Sequence, residues 1–106
     1  DFCKSGDLIG DPSEISPLRT EDFNFHRAKT YGEDLLQCNN LPSSRTPRGH
    51  QTPAAFLIMS SGLDKNDASS SKPLKYTHLD VAGSAGDIPY PPTGSPLLSL
   101  AQLYLM

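Results

Sequence analysis

Residues 76–86, Tyr-Thr-His-Leu-Asp-Val-Ala-Gly-Ser-Ala-Gly, run from an apolar and β-branched stretch straight into a turn of small residues. The pattern predicts one buried strand over Leu74 to Ala82, closed by a tight turn. A buried strand needs hydrogen-bonding neighbours on both sides, so this stretch commits the chain to a sheet. In an open α/β sheet, ligands bind in the crevice beyond the carboxyl ends of the strands. Gly83 to Gly86 would fall there.

The rest of the chain reads as helices and loops. Residues 1–19 carry Gly6, Gly10, Pro12 and Pro17 and read as loop, with an extended piece at Asp7-Leu8-Ile9. A helix is expected after Thr20, which can cap it. Glu21 and Asp22 complement the dipole in its first turn, and Phe23, Arg27, Tyr31 and Leu35 continue at helical spacing. Cys38 to Gly49 is a polar loop with turn chemistry throughout. Thr52 as N-cap and Pro53 at the first helical position then open a second helix through Ala54-Ala55-Phe56-Leu57-Ile58-Met59, apolar on every face and therefore expected to be buried, with Gly62 ending it. Leu63 to Pro73 reads as a solvated loop and Gly83 to Gly94 as a stiff, proline-rich one. Ser95 and Pro96 start a last helix, Leu97 to Leu105. The order helix, helix, strand, helix predicts an α/β fold: part of an α/β/α three-layer domain with a mixed sheet. Most of that sheet's strands are missing from the 106 residues, and the chain starts Asp1-Phe2-Cys3-Lys4 without an initiator Met. The expectation is a portion of a larger domain.

Charge narrows the partners. The nine Lys and Arg are scattered and the formal net charge is -3, so no basic stripe argues for nucleic acid. The longest apolar run, Ala54 to Met59, is too short to span a bilayer. The two cysteines, Cys3 and Cys38, form no C-x-x-C pair and are expected as reduced thiols.

Candidate chemistry is sparse. His26, His50 and His78 show no metal-ligand spacing and are expected in structural or surface roles, with His78 bonded to backbone. The acidic pairs Asp11 with Glu14 and Glu33 with Asp34 read as solvated. No G-x-S-x-G elbow surrounds the loop serines. Gly83-Ser84-Ala85-Gly86 is not followed by G-K-[ST], so it makes a poor phosphate cradle. Small residues after a strand let another group approach the backbone, either as tight packing or as one wall of a substrate pocket.

Three blocks together resemble the leucine aminopeptidase (cytosol aminopeptidase) family of metallopeptidases. They are His78-Leu79-Asp80-Val81-Ala82-Gly83, Thr52-Pro53-Ala54-Ala55-Phe56-Leu57 and Thr93-Gly94-Ser95-Pro96, with Ser5-Gly6-Asp7 as a further match. The order and spacing agree over residues 5–106, and the resemblance implies the C-terminal portion of the catalytic domain. It also implies an α/β/α fold, two divalent metal ions (manganese or zinc), a hexameric homo-oligomer, a cytoplasmic location and hydrolysis of N-terminal residues from peptide substrates. The family's Asn-Thr-Asp-Ala-Glu-Gly-Arg signature, which supplies metal ligands, does not occur in this chain. The resemblance therefore assigns no metal ligand and no catalytic residue here. It places Ala82, Gly83 and Ala85 in the wall of the pocket for the substrate's N-terminal side chain, with Ala85 smaller than the residue common there. The 106 residues alone are expected to be inactive. An alternative is a catalytically inactive relative used for assembly. A small independent binding module is a third reading, opposed by the apolar surface that Ala54 to Met59 and Leu97 to Leu105 would expose.

Overall fold

A computed structural model describes all residues, Asp1–Met106. Its chain divides into two units, one of Asp1–Ile15 with Leu79–Met106 and one of Ser16–His78.

The first unit pairs α1 (Phe2–Ile9) with α4 (Leu97–Tyr104). The expected loop over residues 1–19 is thus corrected at its start, where Phe2–Ile9 is helical. Gly10 ends α1 in the left-handed conformation at φ 74°, and the Asp11 N–H reaches back to the Gly6 carbonyl at 2.9 Å. Gly6, which weighs against a helix by propensity, is required by packing. A Cβ there would lie 2.3 Å from the Asp11 carbonyl oxygen and 2.9 Å from Ser99 Oγ.

Asp11 ties the two helices together. Its Oδ2 accepts from the Ser99 N–H at 3.1 Å and from the Ser99 hydroxyl at 2.8 Å, the same hydroxyl lying 2.8 Å from the Asp11 carbonyl oxygen. Ser99 N–H belongs to the first turn of α4, so Asp11 caps that helix from a distant part of the sequence. Asp11 and Ser99 are both buried.

The second unit holds α2 (Thr20–Phe25) and α3 (Thr52–Ser60), with single 3-10 turns at Ser43–Arg45 and Leu63–Lys65. α2 is shorter than its sequence pattern suggests and stops at His26. α3 starts one residue earlier than expected: Gln51, not Thr52, precedes the helix, no side chain caps it, and Thr52 and Pro53 lie in the first turn. Gly62 beyond its end is left-handed at φ 77°, as the sequence indicates. The expectation that α3 is buried on every face is corrected. Ala54 and Ala55 are buried, whereas Leu57 is exposed and Phe56, Ile58 and Met59 are half-buried.

The α/β three-layer fold, with its helix-helix-strand-helix order, is also corrected. The chain has no strand and no sheet; its β pairing is one isolated antiparallel bridge, Arg27 to Leu35. Leu74 to Val81 lies outside any helix or turn but pairs with nothing as a ladder. Leu74 and Tyr76 are exposed. The physical reason is that apolar, β-branched content fits a pleated surface only when a partner backbone supplies the bonds. Proline and glycine break the other segments before a second extended run can form.

Gly6→Ala should destabilise the first unit by about 1–3 kcal/mol, the range for forcing extra volume into a packed contact. Urea denaturation followed by the amide signals of α1 and α4 checks it, with Gly83→Ala, which meets open space and has no positive φ, as the comparison.

Candidate functional site

Ala82, Gly83 and Ala85 lie together in the first unit, on consecutive exposed turns. The Ser84 N–H bonds the Val81 carbonyl at 3.0 Å and the Gly86 N–H bonds the Gly83 carbonyl at 3.0 Å. Ala82 itself is left-handed at φ 48°, a conformation uncommon outside glycine. Thr93 clasps the loop: its hydroxyl donates to the Ser84 carbonyl at 2.5 Å, its N–H donates to the Ala85 carbonyl at 3.1 Å, and its Oγ1 accepts from the Ser95 N–H at 3.2 Å. A Cβ built on Gly83 would meet nothing within 4 Å. Packing therefore does not explain that glycine, and the turn presents an open, small-residue surface that another group can approach.

The second unit centres on Asp22, which is 1% exposed. Its Oδ2 accepts from the Arg19 N–H at 2.8 Å, closing the start of α2, and from Arg48 Nη2 at 2.9 Å. Its Oδ1 accepts from Arg48 Nε at 2.5 Å. Arg48 also donates to the Pro17 carbonyl at 2.8 Å. The Arg48 guanidinium bond holds the Asp22 carboxyl below the usual carboxylate range, and Asp22 in turn raises Arg48. Asp11 is likewise lowered, by hydrogen bonds from Ser95 and then Ser99.

Beside this pair, His26 joins the turn after α2 to the start of α3. A hollow of about 370 Å³ opens there, lined among others by Phe25, His26, Cys38, Leu41, Pro53 and Phe56. Every lining residue belongs to the second unit, so Ala82, Gly83 and Ala85 take no part in it.

The expected structural role of the histidines holds for His26. The backbone bonding expected of His78 is instead made by His26, and His78 Nδ1 lies 3.0 Å from the Tyr76 hydroxyl. His50 is exposed. Cys3 and Cys38 are free. The donors present do not fit a two-metal centre, since no three or more His, Cys, Asp or Glu converge to hold an ion. No helix is long and apolar enough to cross a membrane. The sequence reading missed Asp22 as a hub, having taken it only as a first-turn charge. The i,i+4 spacing of Asp22 and His26 is the signal that places both on one side of that turn.

No family model matches the chain, and no solved structure does. A Caenorhabditis elegans protein bearing the name putative aminopeptidase is 52% identical to it over 95 residues. The match covers 90% of this chain and 18% of that relative, so the chain spans less than a fifth of the relative's length.

Asp22→Asn should lower the stability of the second unit by about 2 kcal/mol at neutral pH, the scale of hydrogen bonds to a charged group. The sign in acid follows from the lowered carboxyl: its contribution is whole above the ordinary value of 3.8 and is lost as pH falls through the folded value. The gap between parent and variant should therefore close below pH 3.8, as read by urea midpoints across an acid series.

Proposed function

We propose that this chain is the pocket-wall portion of a leucyl-type aminopeptidase that removes N-terminal residues from peptides. The observation that carries the reading is the 52% identity to an aminopeptidase-named protein along 90% of the chain. The exposed, clasped turn at Ala82, Gly83 and Ala85 adds a physical basis. Small side chains on a turn that hydrogen bonds hold in shape can form one wall against a substrate's first side chain. The wall's contribution is steric selection and positioning; it donates no proton and holds no ion. Two divalent metal ions, ligated by segments beyond the 106 residues, belong to the same proposal, as do a homo-oligomer (a hexamer) and a cytoplasmic setting.

The 106-residue chain alone should give no release of p-nitroaniline from leucyl p-nitroanilide with manganese present. A longer protein containing it should. In that longer protein, Ala85→Phe should raise KM for leucyl substrates about tenfold and leave alanyl substrates little changed, the discrimination a few methylene-sized volumes supply. Absence of turnover in the longer protein sinks the enzymatic reading in favour of an inactive assembly relative. Equal effects of Ala85→Phe on both substrates sink the assignment of the wall.

A further inference from the structure

His26 is 2% exposed, and both of its ring nitrogens point at acceptors. Nδ1 lies 2.7 Å from the Leu36 carbonyl oxygen and Nε2 lies 2.7 Å from the Thr52 carbonyl oxygen. A carbonyl oxygen can only accept. A neutral imidazole carries one N–H and one lone pair, so it would serve one of these oxygens and turn a lone pair toward the other. An imidazolium donates to both.

We propose that His26 sits in the folded second unit as the imidazolium and works as a proton-dependent latch. The latch joins the end of α2, the backbone at residue 36 and the first turn of α3. The inference is independent of any enzymatic reading.

Two aromatic rings pack against the His26 ring: the Phe25 centroid lies 4.8 Å away with the rings near perpendicular, and the Phe56 centroid lies 5.3 Å away, tilted at 52°. The main-chain partner is also fixed, because the Leu36 N–H donates to the His26 carbonyl at 2.9 Å.

Around the ring, the stretch from residue 39 to 51 carries Arg45 and His50, both exposed, and Arg48, which is bound to Asp22. On α2, Asp22 is bound to Arg48, and Glu21 is exposed. In the segment from residue 27 to 38, Arg27 donates to Asn24, and Lys29 Nζ stands 5.7 Å from the Phe25 centroid. In the same segment, Glu33 accepts from the Lys29 and Thr30 N–H groups, Asp34 is exposed, and Cys38 lines the hollow. α3 carries no titratable side chain between Thr52 and Ser60.

Linkage sets the sign. A group that needs its proton when folded supports the fold on the acid side and withdraws that support as the solution turns alkaline. Without the proton, one ring nitrogen turns a lone pair toward a carbonyl oxygen, and repulsion replaces a charge-assisted hydrogen bond.

The test uses the whole 106-residue chain, ¹⁵N-labelled, with long-range ¹H–¹⁵N correlations of the histidine rings at pH 7. The expected result is two protonated nitrogens on His26, with His50 and His78 as references in the same spectrum. A lone-pair nitrogen on His26 at pH 7 overturns the proposal. The latch itself is read from stability. The unfolding constant of the second unit should rise about tenfold on alkaline titration of the ring, the scale of one hydrogen bond from a charged donor lost. His26→Gln should abolish that rise. An imidazolium spectrum with a flat alkaline stability profile overturns the latch, and the spectrum decides the protonation state even if the variant fails to fold.

Discussion

Asp22 collects three donors on one carboxylate: the Arg19 N–H, Arg48 Nε and Arg48 Nη2. They come from both sides of a 26-residue separation, so the contact fixes the start of α2 against the turn that leads into α3. Arg48 is itself left-handed, at φ 54°. The pair holds the backbone in that uncommon conformation, at the point where the polar loop turns into the helix. With the carboxylate removed, a half-buried guanidinium would lose its partner and the N–H at the start of α2 would lose its acceptor. The second unit depends on this contact because its apolar core is small: Ala54 and Ala55 are the apolar side chains buried outright.

The first unit reaches the same end by a different route. Asp11 caps α4 through the backbone and hydroxyl of Ser99, and Gly6 brings α1 close enough for that contact to exist. Both units are therefore specified by buried hydrogen bonds more than by area. Such bonds contribute modestly when made and cost more when one side is left unpaired. That asymmetry selects one arrangement, while large apolar side chains such as Leu8, Leu97 and Leu105 stay exposed.

What could be read from the residues follows from how local each signal is. The start of α3 was legible to within one residue, because Pro53 acts within one turn although Thr52 does not cap the helix, and its end was legible because Gly62 needs only its own backbone. α4 was legible for the same reason, from Pro96 and the leucines after it. α1 was hidden, because Gly6 lowers helix propensity and its justification lies with Ser99, far along the chain. The strand at Leu74 to Ala82 was misread because its composition describes a surface that suits a sheet, whereas pairing depends on a partner. At the candidate site, the small-residue turn at Ala82 to Gly86 could be seen directly. The hub at Asp22 could not, since Arg48 lies beyond a loop whose path no local pattern dictates.

The left-handed backbone at Ala82 bears on how related chains should be compared. An L-residue with a branched β-carbon is strained in that conformation, so this position can change freely only to glycine, asparagine or aspartate. Variation there reports the geometry of the turn. Ala85, whose φ is not positive, is under no such restriction. Under the proposed pocket wall, differences in side-chain preference among homologues should be sought at Ala85 before Ala82.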